Sequence, residues 1–230
     1  MGPSPAAVIF DLDGCLVDSE PLVIRAIVEE LRAEGLDTLA FDDIRAGFLG
    51  MPMPAIWDAA AQGTGRPIPD DFITRVDTRL CDAFVGRLQR IDGVLGMLDA
   101  LAERGVAIAI ATGGSIQRMT QALAVSGLSA RFEGRAFSAN QVARGKPAPD
   151  LFLFAADRLG VAPTDCAVLE DSPHGVAGGV AAGMRVAGFT GGSHLDGMRD
   201  AHTQLLRDKG AATVATDMDG VLSALWVEKQ

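Results

Sequence analysis

Four carboxylates, Asp11, Asp13, Asp18 and Glu20, crowd into ten positions directly behind the apolar run Ala6 to Phe10. Side chains two apart on an extended strand point the same way, so Asp11 and Asp13 share one face where the chain leaves the strand. Two carboxylates that close repel each other unless a cation lies between them or one holds a proton. A polar turn accounts for one Asp well and for two poorly. Gly14 then permits a tight exit. The same Asp-x-Asp-Gly order returns at Asp217 to Gly220, so the tetrapeptide alone identifies nothing.

Three further strand ends carry polar groups. The run Val106 to Ala111 finishes in Thr112-Gly113-Gly114-Ser115, where a hydroxyl, two glycines and free amides ahead of a helix form an anion cradle. Taken by itself this stretch reads better as a loop capped by Ser115. Lys146, in Gly145-Lys146-Pro147-Ala148-Pro149-Asp150, is the first of only three lysines in the chain. It is not a nucleotide-loop lysine, because position 140 is Asn and position 147 is Pro. The run Cys166 to Leu169 ends in Glu170-Asp171-Ser172. Acid pair, hydroxyl with amides, lysine and second acid pair together suit Mg²⁺, a hard cation that takes one or two carboxylates plus a phosphate. Thr112, the Gly113 amide and Lys146 would then hold phosphoryl oxygens.

Positioning these groups requires a sheet. The apolar runs Ala6 to Phe10, Val106 to Ala111, Cys166 to Leu169, Arg185 to Phe189 and Thr213 to Thr216 read as parallel strands buried on both faces. Helical patterns lie between them, at Val94 to Leu101, Ile116 to Ser126 and Leu151 to Leu159. The alternation predicts a doubly wound, Rossmann-like parallel α/β core with its ligand at the carboxyl ends of the strands. Residues 18–89 break the alternation. Ser19 is placed to cap a helix with Pro21 in its first turn, and Phe72, Val76, Leu80, Phe84 and Leu88 recur every fourth residue. The expected organisation is therefore a core of residues 1–17 and 90–230 carrying an all-helical cap, residues 18–89.

Composition narrows the partners. The 230-residue chain is 48% hydrophobic and 22% charged, with a net charge of −10, which disfavours nucleic acid and anionic membranes as partners. An anionic substrate needs local cations or a metal to draw it in. No apolar run approaches the roughly 18 residues of a membrane span. Cys15, Cys81 and Cys166 are odd in number and lack metal-type spacing, which fits reduced thiols and a cytoplasmic protein. Oligomeric state is left open.

Together, "FDLDGCLVDSE", "ATGGS", "GKPAPDLF" and "EDSPHGVAGGVAAGM" resemble the haloacid dehalogenase-like hydrolase superfamily, in the branch of β-phosphoglucomutase and phosphoglycolate phosphatase. The resemblance implies that Asp11 is a nucleophile forming an aspartyl-phosphate and that Asp13 is the acid/base. It implies Mg²⁺ held by the Asp11 carboxylate, the Asp13 carbonyl and Asp171 with Glu170 close by, and a phosphoryl group stabilised by Thr112 and Lys146. The expected activity is hydrolysis of a small phosphomonoester, most simply a sugar phosphate. A β-phosphoglucomutase-like mutase is the alternative, weakened because Val23 and Met53 stand where those enzymes carry His and Arg, although Arg45 could substitute. Phosphonatase chemistry, which uses a cap lysine, is disfavoured because residues 18–89 contain none. A phospho-aspartate signalling protein is the non-enzyme alternative, disfavoured by the paired Asp on the first strand. The apolar stretch Phe48 to Pro54 resembles the specificity loop, and His174 either touches substrate or packs at the next helix.

Overall fold

The computed structural model describes residues 4–48, 51 and 53–226. Leu49, Gly50 and Pro52 of the apolar stretch lie outside the described residues. Six parallel strands, β1 (Ala7–Phe10), β2 (Ala107–Thr112), β3 (Ala136–Ser138), β4 (Cys166–Glu170), β5 (Arg185–Phe189) and β6 (Thr213–Ala215), form one sheet in the order β3-β2-β1-β4-β5-β6. The order reverses between β1 and its neighbours β2 and β4. This is the switch point of a doubly wound, Rossmann-like sheet, where the loops diverge and leave a crevice.

The period of two sorts each strand between two cores. Val8 and Phe10 face one layer with Leu98 and Leu101 of α5 (Val94–Glu103), Ala122 of α6 (Ile116–Ser126) and Val221 of α10 (Met218–Leu225). Ala7 and Ile9 face the other, with Leu151 and Ala155 of α7 (Asp150–Leu159), Val176 of α8 (Pro173–Ala181) and Leu206 of α9 (Arg199–Asp208). Strand β3 escaped the apolar-run reading because it is three residues long and begins at Ala136. Asp217, the head of the second Asp-x-Asp-Gly, is a helix cap: its Oδ1 accepts from the Gly220 amide at 2.7 Å at the start of α10.

Among the described residues, four helices lie between β1 and α5 in the chain: α1 (Glu20–Ala33), α2 (Phe41–Gly47), α3 (Met53–Ala60) and α4 (Phe72–Phe84). Helix α4 stops before Leu88, which is buried in the turn beyond it. Trp57 is buried against Phe72. On the flank where α1 meets α4, buried Glu30 accepts from Arg75 Nε at 3.0 Å and Arg79 Nε at 2.8 Å. Arg75 also pairs with Glu34 and Asp71, and Arg79 with Glu29. Among the described residues no helix is long and apolar enough to cross a membrane.

Burial pushes the Glu30 carboxyl up, but hydrogen bonds from Arg79 and Arg75 outweigh it and leave it below its usual value of 4.5. A lowered carboxyl stabilises the fold fully above its unfolded value and loses that contribution as pH falls through the folded one. Glu30→Gln is therefore expected to cost about 1–2 kcal/mol near neutral pH, with the gap to the parent closing below about pH 4. Urea denaturation midpoints measured from pH 3 to 7 check this; a gap that widens in acid contradicts it.

Candidate active site

The crevice at the switch point is a cavity of about 510 Å³. Asp11 follows the end of β1, Thr112 is the last residue of β2, Glu170 the last of β4, and Asp171 the next. Lys146 reaches in from the segment ahead of α7. Parallel register sets β1 between β2 and β4 with Phe10 opposite Ile110 and Leu169, so the three strand ends arrive together. The sequence-predicted Asp11, Asp13, Thr112, Gly113, Lys146 and Asp171 all line the cavity. Glu170 stands behind Lys146.

Lys146 Nζ donates to Asp11 Oδ1 at 2.5 Å and also to Glu170 Oε1. Its pKa lies above the ordinary lysine value: burial pulls it down, but the Asp11 and Glu170 charges outweigh burial. The other Glu170 oxygen accepts from the Ser172 amide at 2.9 Å and the Ser172 hydroxyl at 3.0 Å. Asp11 carries a pKa well above a normal carboxyl, raised by burial, opposed by Lys146, and raised further by Glu170, Asp171 and Asp13.

Asp13 has a different set of partners. Ser19 Oγ donates to Asp13 Oδ1 at 2.5 Å, Arg118 Nη2 lies 2.9 Å from the same atom, and Thr112 Oγ1 donates to Oδ2 at 3.3 Å. Ser19 thus departs from its expected duty. It occupies the cap position of α1 but makes no side-chain cap, and its hydroxyl is turned to Asp13 instead. Glu20 enters the cavity 4.0 Å from Arg118. Burial lifts its carboxyl to about 7 against the opposing charges of His194 and Arg118. Ser115 caps α6 as expected, accepting from the Arg118 amide at 3.2 Å, and Thr112 Oγ1 takes the Gly114 amide at 3.0 Å.

Arg118, His194 and His202 were not anticipated. Arg118 sits in the first turn of α6, and a helix following a strand end turns that end toward the crevice. His194 Nε2 lies 3.2 Å from Asp171 Oδ2, and His202 Nε2 lies 2.6 Å from the Asp171 carbonyl. His174 lines the cavity, with a buried Nδ1 that has no hydrogen-bond partner among the described residues. Val23 and Met53 lie on the cavity wall, whereas Arg45 turns away to the Asp196 carbonyl at 3.3 Å and to Asp42.

Two glycines are required by close approach to the acids Asp171 and Glu170. A Cβ on Gly14 would stand 2.0 Å from Asp171 Oδ2, and one on Gly175 would stand 1.8 Å from Glu170 Oε1. Gly14 also has φ +77°, a region other residues occupy at a cost. The remaining small residues of α8 serve packing, Gly178 against Phe152 and Gly179 against Val186.

The donor set fits a hard cation. Ligand atoms of Asp11, Cys15 and Asp171 lie within 4.8 Å of one another. The Cys15 thiol is pushed well above its usual range by burial and the neighbouring acids, so it stays protonated, and the oxygens are what a cation would find.

Residues 5–183 match the haloacid dehalogenase-like hydrolase family. The chain belongs to the haloacid dehalogenase-like hydrolases. Hexitol phosphatase A of Escherichia coli is 36% identical over 180 residues, spanning 77% of this chain and 80% of that protein. A haloacid dehalogenase-like protein of unknown function from Agrobacterium tumefaciens superposes with a TM-score of 0.80 at 32% identity, covering 96% of this chain and 97% of the other. A family hydrolase from Deinococcus radiodurans, solved with bound phosphate and sodium, gives 0.74 at 34% identity over 99% of this chain and all of the other.

Gly14→Ala is expected to cost about 2 kcal/mol from its backbone conformation alone, lowering the melting temperature by about 4–8 °C, and to push the Asp171 carboxylate from its place. Calorimetric melting of parent and variant measures the first effect; coincident melting curves would contradict it.

Proposed function

We propose that this hydrolase is a Mg²⁺-dependent phosphatase of small phosphomonoesters, working through an aspartyl-phosphate on Asp11. The observation that carries the proposal is the convergence of Asp11, Asp13, Thr112, Lys146 and Asp171 on one cavity at the switch point of the sheet. The cavity volume falls in the range of small-molecule sites. The likeness to hexitol phosphatase A supports a phosphorylated sugar or polyol as substrate. In this reading residues 18–89 form the cap over a core of residues 1–17 and 90–230, and shield the reaction from bulk water.

An Asp11 carboxylate oxygen attacks phosphorus as the ester P–O bond breaks, and Asp13 delivers a proton to the departing oxygen. Asp13, now a carboxylate, takes a proton from water, whose oxygen attacks the aspartyl-phosphate and releases inorganic phosphate. The proton taken from water restores the proton given to the alcohol. Lys146 and Thr112 offer donors to the phosphoryl oxygens, and Ser19 and Arg118 fix the direction of Asp13. Mg²⁺ would be held by the Asp11 carboxylate, the Asp13 carbonyl and Asp171. When bound it supplies the positive charge that keeps buried Asp11 ionised and offsets charge on the phosphoryl oxygens. Glu170, its oxygens taken by Lys146 and Ser172, anchors the lysine in this scheme.

Hydrolysis is favoured over mutase chemistry because Val23 and Met53 give the cavity wall no cation to grip a second phosphate, and Arg45 is engaged at Asp196. Asp11→Asn is expected to lower phosphate release from a hexitol or hexose phosphate by at least about 10³-fold with an unchanged circular dichroism spectrum. Substantial residual turnover sinks the nucleophile assignment. Chelation with EDTA is expected to stop phosphate release in the parent, and added Mg²⁺ to restore it; turnover that persists in EDTA contradicts the metal assignment.

A further inference from the structure

His194 lies in the 3₁₀ turn Ser193–Leu195, in the loop that leaves β5. The ring is buried, and its Nε2 is the one side-chain donor within reach of the Asp171 carboxylate among the described residues. A carboxylate oxygen only accepts, so Nε2 carries the proton in this contact. The ring occupies a slot cut to its size: a Cβ on Gly192 would stand 2.6 Å from it and a Cβ on Gly14 3.0 Å. The loop that carries the ring is fastened on its outer side. Ser193 N–H donates to Asp18 Oδ1 at 3.1 Å, and Arg45 Nη1 donates to the Asp196 carbonyl at 3.3 Å. His202 holds the Asp171 backbone from below, through the carbonyl.

Asp171 is therefore gripped twice, its backbone by His202 and its carboxylate by His194. A carboxylate with one fixed oxygen presents the other in a single direction. We propose that His194 is a positioning residue that aims the Asp171 carboxylate at Mg²⁺, and that Asp18 and Arg45, at the two ends of the loop, hold it in register from the helical segment. This inference rests on the reading of Asp171 as a metal ligand. Partners that orient a ligating carboxylate commonly change metal affinity by 10–100-fold when removed.

Three substitutions separate aim from packing. His194→Phe fills the slot and removes the donor, His194→Asn keeps a polar amide one bond too short to reach Asp171, and His194→Gln places an amide N–H at the reach of Nε2. The probe is MgCl₂ alone, titrated calorimetrically into the full chain without ester, with Asp171→Asn as reference. The expected result is a Mg²⁺ dissociation constant raised about 10-fold in the Phe and Asn variants and within about 3-fold of the parent in the Gln variant. KM for the ester, extrapolated to saturating Mg²⁺, is expected to stay within about 2-fold of the parent in all three, as a residue that acts through the metal requires. Parent-like affinity in Phe and Asn with Asp171→Asn impaired overturns the role of His194 and leaves the metal assignment standing. A Gln variant as weak as Phe overturns it as well, because shape rather than the donor would then matter. Unchanged affinity in Asp171→Asn overturns both readings. Should the Phe variant fail to fold by circular dichroism, the Asn and Gln pair decides on the same criteria.

Discussion

Four carboxylates, Asp11, Asp13, Glu170 and Asp171, are buried together at the carboxyl edge of one sheet, and the local structure follows from the cost of keeping them there. An isolated buried carboxylate sheds its charge or finds a partner. Each of these has found one: Lys146 bridges Asp11 and Glu170, Arg118 and Ser19 hold Asp13, and His194 holds Asp171. The partners come from the loop before α7, the first turns of α6 and α1, and the turn after β5. Charge at the centre thereby ties together segments that lie far apart in the chain.

The same crowding explains where side chains are forbidden. Glu170 and Asp171 sit so near the backbone of α8 and of the exit from β1 that only glycine fits at Gly175 and Gly14. Ser19, whose hydroxyl is turned to Asp13, leaves its helix uncapped. The first turn of α1 loses a side-chain acceptor, a matter of about 1 kcal/mol, while a buried carboxyl left without a partner costs more. The helical segment is thus tied to the chemistry from its first residues, since Asp18, Ser19 and Glu20 each reach a group of the site or its supporting loop.

Local order in the sequence reveals what local physics controls. Long buried strands read as continuous apolar runs, so five of the six strands were visible, and β3 was missed because three residues carry no period. Asp11, Asp13, Thr112, Lys146 and Asp171 were visible because each stands at a strand end or in a loop beside one, where a polar residue is conspicuous. His194 and His202 follow β5, and nothing in Gly191 to His202 announces that β5 lies beside β4. Only the sheet order places that loop against Asp171. Arg118 was hidden differently, because an arginine in a helix ordinarily reads as a solvated side chain.

The two Asp-x-Asp-Gly tetrapeptides show the limit of a motif taken alone. Asp217 and Asp11 each head an Asp-x-Asp-Gly, yet Asp217 spends its carboxylate on the amide of Gly220 and sits on the surface at the edge of the sheet. Asp11 ends the strand flanked by β2 and β4, which bring a hydroxyl and two more acids, and its own carboxylate is left to be met by Lys146 from a distant loop. The difference in chemistry is a difference in strand position: an edge strand has one neighbour to contribute groups, and a strand at the switch point has two together with the crevice between their loops. The acid pair becomes a candidate site only where the topology gathers donors and opposing charge around it.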